Sequence, residues 1–410
     1  MSFNKYKHYK NKDIYLYQKH DETTKIVYNG TEYDKMKNEI FFQISSRPFE
    51  QSFILVRSET TTPEEMKEEY KQYISMIDDI IKITDGKINM YRTGSFGRTA
   101  LSLFTDINKI EAERERSELS RSRRASEPIK EFEFKYLENG GGIRYAQKGY
   151  EGEAYKYDIN SYYPSLMLSR YIRIPITEGK TIDITTEELE QKRSVKYGVY
   201  HAEIKCDNDA MFSTMFKNMY SHYEINYAKK LGLKINILGP ALVWDPEQTI
   251  PCHKVFDKYI NYLYPLKKQH KKIKIIMNAL WGSLCSKSGG DEKKILMNYE
   301  DISSSKYNIK RITPIDNTMT KCEVIIDSDV RFYKTSFARI KPFLLGFARV
   351  NMHKTFDKIG YDNILWSHTD SIVCKIKLFN EIKITNKIGD WKYEGSSDNC
   401  YIYNKNFMDF

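Results

Sequence analysis

Two aspartates, Asp158 and Asp370, sit where a carboxylate is hard to explain as ordinary structure. Asp158 closes the run Lys156-Tyr157-Asp158-Ile159 and is followed at once by Asn160-Ser161-Tyr162-Tyr163-Pro164. A lone charge at the end of a buried strand is costly unless it is paired, protonated or bound to a metal. Asp370 lies in Ser367-His368-Thr369-Asp370-Ser371, between the runs Ile364-Leu365-Trp366 and Ile372-Val373-Cys374. That pattern predicts two short strands with a polar tip. Asp and Ser are common in turns, so by itself the tip reads better as an ordinary hairpin than as an active-site feature. Taken together, two strand-end carboxylates could share divalent cations, which removes the electrostatic objection to placing them side by side. Mg²⁺ keeps octahedral oxygen coordination and is usually held by one or two carboxylates plus substrate phosphates. Two aspartates therefore suffice if a nucleoside triphosphate supplies the remaining ligands.

Such a substrate needs cations near it. The stretch 264–285 reads as one helix, with Lys267, Lys271, Lys274 and Asn278 on one face and Ile273, Met277, Leu280 and Leu284 on the other. A row of ammonium groups backed by an apolar stripe suits a triphosphate, although an isolated lysine face is commonly just solvated.

Around these residues the chain divides by composition. Residues 1–110 read as a mixed α/β segment, with two strands around a turn in 41–58 and a helix from 61 onward capped by Thr61 or Thr62. Residues 111–138 begin with the charge- and Ser-rich run 111–128 and read as a linker. Beyond it come 139–250 and 251–290, and then 291–410 with strands followed by a helix over 346–358 and the hairpin at 363–376. With 410 residues, two or three domains are expected. Lys and Arg exceed Asp and Glu by 65 to 55, a net charge of +10 that favours a polyanionic partner. Six scattered cysteines form no Cys-x-x-Cys pair, which argues against a zinc site and for a reduced, intracellular setting. No apolar run approaches the roughly 20 residues needed to span a bilayer. The N-terminus is basic without an apolar core, so no clear targeting signal is read; a mitochondrion or a viral or plasmid replication site fits.

In order, Asp158-Ile159-Asn160-Ser161-Tyr162-Tyr163-Pro164-Ser165, Lys274-Ile275-Ile276-Met277-Asn278-Ala279-Leu280-Trp281-Gly282 and His368-Thr369-Asp370-Ser371 resemble the three signature motifs of family B DNA polymerases. The order and spacing resemble the protein-primed branch of phages, adenoviruses and linear plasmids. Asn139-Gly140-Gly141-Gly142-Ile143-Arg144-Tyr145 is similar to that branch's Tyr-x-Gly-Gly segment. Ile388-Gly389-Asp390-Trp391 and Lys405-Asn406-Phe407 are similar to its Leu-Gly-x-Trp and Lys-x-Tyr segments.

The resemblance implies an α+β fold: a right-hand polymerase whose palm is an antiparallel sheet over 139–250 and 291–410, with helical fingers at 251–290. It also implies a truncated thumb and an N-terminal α/β exonuclease-like remnant. Asp158, Asp370 and the carbonyl of Ile159 would hold two Mg²⁺ ions, or Mn²⁺, with Lys274 contacting the incoming dNTP and Lys267 or Lys271 assisting. Tyr163 would lie under the sugar and exclude a 2′-hydroxyl, and Asn278 would approach the nascent base pair. Gly141, Gly142, Gly282 and Lys405 would contact DNA template and primer, and a terminal protein could prime synthesis. Three departures stand out: His368 replaces the motif's first Asp, no Asp-x-Glu precedes Asp158, and only three residues follow Phe407. They imply no proofreading and low processivity. They also motivate an alternative, a degenerate nucleic-acid-binding remnant without catalysis, and a weaker third, an unrelated scaffold with accidental matches.

Overall fold

The computed structural model describes residue 72 and residues 75–93, 95–114, 128–138, 140–206, 218–288, 335–378, 380–404 and 407–410, together with strands at 2–8, 12–18, 24–28, 39–46, 49–56, 292–298, 308–314, 319–325 and 332–333. The chain forms two compact units, one of 1–109 with 262–332 and one of 110–261 with 333–410. The segment expected as fingers, 251–290, is thus divided near its start.

In the first unit, five consecutive strands between Ser2 and Val56 form an antiparallel meander in sequence order. The strands expected around residues 47–48 are its last two, Glu39–Ser46 and Phe49–Val56. The proposed caps Thr61 and Thr62 lie outside the described residues. The helix expected over 264–285 is interrupted. Helix α1, His253–Leu266, ends just after Pro265, and helix α2, Ile273–Leu284, begins seven residues later. The reason is local chemistry. Lys267, Lys268, Lys271 and Lys272 would repel one another at helical spacing, and residues 267–272 offer no apolar side chain to hold a helix against the core. The connection instead winds through turns, with Lys267 N–H on the Leu263 carbonyl and His270 N–H on the Leu266 carbonyl. The apolar stripe of α2 is as expected: Ile273, Met277, Leu280 and Leu284 are fully buried, as is Ile276.

The second unit is built on a six-stranded antiparallel sheet. Its strands are β1 (Arg144–Ala146), β2 (Glu151–Ile159), β3 (Ile364–His368), β4 (Ser371–Cys374), β5 (Trp391–Asn404) and β6 (Phe407–Asp409), in the spatial order β6-β5-β2-β4-β3-β1. Strand β2 alternates Ala154, Lys156 and Asp158 on one face with Tyr155, Tyr157 and Ile159 on the other. β3 and β4 are the hairpin the sequence predicted, joined by Thr369 and Asp370 alone.

A second antiparallel sheet, with Gly198–Lys205 at its centre, carries helix α3 (His222–Lys230). Helix α4 (Ile340–Ile359) begins six residues before the expected start and closes at Gly360, whose φ of +84 suits only a residue without Cβ. Gly346 within α4 has no room for a side chain, because an added Cβ would come 2.0 Å from Ser221 Oγ and 2.6 Å from Glu224 Oε2. That close approach lets α4 pack on α3. Residues 128–138, expected as linker, are packed into this unit. Glu133, wholly buried, forms a two-pronged pair with the buried Arg339 at 2.6 and 2.9 Å.

Candidate active site

Strand β2 is central, so Asp158 is held from both sides. Ser371 of β4 and Lys392 of β5 are its ladder partners. One rung on, Ile159 N–H donates to the Asp370 carbonyl at 2.9 Å, and Trp391 pairs with Ile159. The backbones of the two aspartates that the sequence leaves far apart therefore sit at successive rungs of one ladder, whose strands lie about 4.8 Å apart. Asp370 belongs to the turn before β4 and not to the strand, so its side chain is outside the strand's alternation of faces. Ser371 Oγ donates to Asp158 Oδ1 at 2.5 Å. Arg144, His368, Ser371, Asp158 and Lys392 form a continuous row of ladder partners across five strands, and directly opposed residues share a face.

Among the described residues, no three or more metal-ligating side chains converge. Two carboxylates with a backbone carbonyl make a partial, all-oxygen set, which fits a hard cation that keeps open positions for water and phosphate and does not fit zinc. Asp158, Asp370 and the Ile159 carbonyl are the groups that would hold Mg²⁺ or Mn²⁺ here.

The turn bearing Asp370 is tight. Asp370 N–H donates back to the His368 carbonyl at 2.8 Å, and Thr369 between them has φ of +63. A β-branched residue in the left-handed region is strained and persists only when its surroundings hold it. Here Thr369 N–H donates to the Ile143 carbonyl at 2.8 Å. A Cβ on Gly142 would lie 2.9 Å from Thr369 Cα. Gly142 thus lets the loop 140–143 lie against the turn, whereas Gly141 has open space where its side chain would be.

After β2 the chain turns at Ser161, with φ of +52, into the short helix α5 of the site, residues Tyr162–Met167. Pro164 falls in its first turn, where no helical donor is lost. Tyr162 is buried and its hydroxyl donates to the Ala348 carbonyl of α4 at 2.7 Å, a packing role. Tyr163 is half-buried beside it, ring centroids 5.8 Å apart. Burial and then the Asp370 carboxylate push the Tyr163 phenol well above its ordinary pKa, while the Arg349 guanidinium opposes them. Tyr163 is therefore neutral at any working pH and lies near both Asp370 and Arg349. Asn160 ties the segment down: its N–H donates to the Asp390 carbonyl, its carbonyl accepts from Gly389, and its side chain donates to the Asn386 carbonyl at 2.9 Å. The Gly-Asp-Trp segment thus braces the turn after Asp158.

His368 stacks on Trp366 at 5.7 Å, and burial, aided by Arg144, lowers its pKa. It adds no negative charge where the motif's first Asp would.

Of the other expected residues, Lys274, Asn278 and Gly282 lie on α2 in the first unit. Lys274 is exposed, and the buried Asn278 Oδ1 accepts no hydrogen bond among the described residues. Lys267 and Lys271 do not share its helical face. They fall in the connection, where Lys267 lies 5.5 Å over the Tyr264 ring. Lys405 lies outside the described residues. Sequence reasoning passed over Arg349, Glu224, Asn160 and the role of Ser371. Only Ser371 and Asn160 carry a local signal, being inside motifs already read for other residues.

The arrangement can be set beside known proteins. The family model for DNA polymerase type B, organellar and viral, matches residues 4–359. Comparison with curated proteins gave no match. Among solved structures, phi29 DNA polymerase complexed with primer-template DNA is similar at a TM-score of 0.59 and 14% identity, covering 89% of this chain and 69% of that one. The same enzyme with primer-template DNA and incoming nucleotide substrates gives 0.56 and 15%, covering 90% and 70%. With single-stranded DNA it gives 0.58 and 15%, covering 85% of this chain and 60% of that one. At these identities the structures establish a shared fold, that of a polymerase with an antiparallel palm sheet. The family match spans most of the sequence, and the chain belongs to the organellar and viral type B DNA polymerases.

Proposed function

We propose that this chain extends a DNA primer by template-directed transfer of deoxynucleotides, with Asp158 and Asp370 as the metal-holding pair. The observation that carries this is the adjacency of the two aspartates, fixed by the Ser371 to Asp158 register and the Ile159 to Asp370 hydrogen bond. Bound divalent ions would lower the pKa of a primer 3′-hydroxyl and offset charge on the transferring phosphate. The chain's own residues do the positioning. Ser371 turns Asp158, and the braced turn at Asn160 presents the Ile159 carbonyl. Tyr163, a neutral ring close to Asp370, stacks under the sugar and leaves no room for a 2′-hydroxyl. Loop 140–143 meets the nucleic acid, and the motif resemblance assigns Lys274 and Asn278 of α2 to the triphosphate and the nascent pair.

The relatives solved with primer-template DNA and incoming nucleotides support DNA and dNTPs as partners. The resemblance to the protein-primed branch favours a terminal protein as primer, and the lack of an Asp-x-Glu among residues 1–157 favours extension without proofreading. The test is primer extension with Mg²⁺ on a primed template: wild type extends, Asp158→Ala does not, and a 3′ mismatch is not trimmed. No extension with either Mg²⁺ or Mn²⁺ would overturn the reading. A second reading, nucleic-acid binding without catalysis, is favoured by His368 in place of a carboxylate; its signature is salt-dependent DNA binding with no incorporation.

A further inference from the structure

On the unit that carries the aspartates, Tyr171 is 81% exposed, whereas the other exposed large apolar residues among those described range from 37% to 47%. Single exposed apolar side chains are ordinary on a protein surface, so exposure by itself assigns nothing. The backbone beneath the ring, however, is fixed. Ser169 Oγ accepts from the Tyr171 and Ile172 N–H groups at 3.1 and 3.3 Å, and the Tyr171 carbonyl accepts from the Tyr223 hydroxyl at 3.1 Å. Tyr223 packs edge-on against Phe347 of α4, ring centroids 5.1 Å apart. The next residue of α4, Ala348, holds Tyr162 through its carbonyl. The ring is thus presented by a segment tied to the same helix as the site.

Cations flank it. Cys252 N–H donates to the Ile172 carbonyl at 2.8 Å and His253 N–H to the Ser169 carbonyl at 3.3 Å, which brings the start of α1 alongside. Arg170 and Lys254 are both exposed there, and residues 168–176 contain no carboxylate. Asp257, one turn into α1, has its Oδ1 on the Lys258 N–H at 2.7 Å. From Ile159 to Tyr171 the chain passes through the short helix α5 and spans at most about 30 Å. That is the length of about nine stacked nucleotides at about 3.4 Å each.

We infer that the patch of Arg170, Tyr171 and Lys254 binds single-stranded DNA, namely the unpaired template ahead of the primer terminus, with Tyr171 stacked on a base and the two cations on phosphates. An open ring face suits a base that is not already stacked in a duplex, and flanking cations suit the backbone on either side of it. Duplex product would engage the cations and leave the ring idle. The identity of the strand as template rests on the proposed template-directed reaction, whereas the binding of a single strand does not.

The Kd is measured for primed templates whose 5′ template overhang is one nucleotide or about twelve, longer than that reach, and for a free oligothymidylate of the longer length. The proteins are wild type, Tyr171→Ala, Tyr171→Phe and Arg170→Gln, and extension of both primed templates by wild type is followed alongside. Tyr171 is exposed enough for its truncation to leave folding intact. Wild type should bind the long overhang more tightly than the short one. Tyr171→Ala should lose about fivefold to 150-fold on the long overhang and on the oligothymidylate, the range for one base–aromatic stack, and much less on the short overhang, while Tyr171→Phe keeps the affinity. Arg170→Gln should reduce the slope of log K against log salt for the oligothymidylate by about 0.7. Wild-type affinity of Tyr171→Ala for the long overhang and the oligothymidylate, or an equal loss on both overhangs, overturns the inference. If wild type extends neither primed template, the template-directed reading falls and the strand's identity with it, and the oligothymidylate Kd of Tyr171→Ala then decides the single-strand site by itself.

Discussion

Ser371 donates its hydroxyl to one oxygen of Asp158 across 2.5 Å, and the two residues face each other on adjacent strands. The bond fixes the rotation of the carboxylate. A hydrogen bond to a charged group contributes about 1.5–3 kcal/mol, so Ser371→Ala should lower incorporation about tenfold to a hundredfold. The Mg²⁺ concentration for half-maximal activity should rise with it. Ser371→Thr keeps the hydroxyl and should restore most of both. Unaltered Mg²⁺ dependence in Ser371→Ala would show that the bond is incidental.

What the sequence revealed and what it hid separate along physical lines. The hairpin around Asp370 was legible because alternation and a polar tip are local signals, and the buried stripe of α2 was legible from its period. The break between α1 and α2 is hard to read because Leu266 and Ile273 keep a helical spacing of seven across it, while the lysine repulsion that opposes helix acts over only the six polar residues 267–272. Arg349 and Glu224 were invisible. Their meaning comes from contacts 125 and 208 residues away in the chain, and an Arg in an apolar helix carries no mark of its partner. The strained Thr369 was equally hidden, since nothing in its identity announces a left-handed backbone.

Adjacent glycines should respond in opposite ways. A methyl group on Gly142 would press on Thr369 at 2.9 Å and shift the turn that carries Asp370, whereas one on Gly141 meets nothing within 4 Å. Overpacking of this kind costs about 1–3 kcal/mol. Gly142→Ala should therefore lower primer extension and the unfolding midpoint together, and Gly141→Ala should leave the unfolding midpoint near wild type. Equal effects from the two substitutions would remove Gly142 from the support of the turn.

The brace at Asn160 should weaken in acid. Asp390 accepts from Lys383 at 2.8 Å and from Thr385 at 2.7 Å, and these contacts hold its carboxyl below the ordinary value of 3.8. A carboxylate depressed in the folded state stabilises above its unfolded pKa and loses that contribution as pH falls through the folded value. The loss thus falls below pH 3.8 and is small, because Lys383 is largely exposed. Unfolding followed by circular dichroism from neutral pH downward should show a steeper acid limb in wild type than in Asp390→Asn, with the two converging at the lowest pH.

The interrupted helix makes a last distinction among the lysines. Lys274 is on α2, four residues before Asn278 and on its face, while Lys271 belongs to the connection before it and Lys267 lies over Tyr264. Were all three on one continuous helix, neutralising any of them would weaken nucleotide binding alike. With the break, Lys274→Ala should raise the KM for dNTP and lower kcat, while Lys271→Ala should change KM by less than about threefold, the scale of a solvated surface charge. Steady-state incorporation of a single nucleotide measures both. A Lys271 effect as large as that of Lys274 would mean that the connection rewinds into helix when the triphosphate binds.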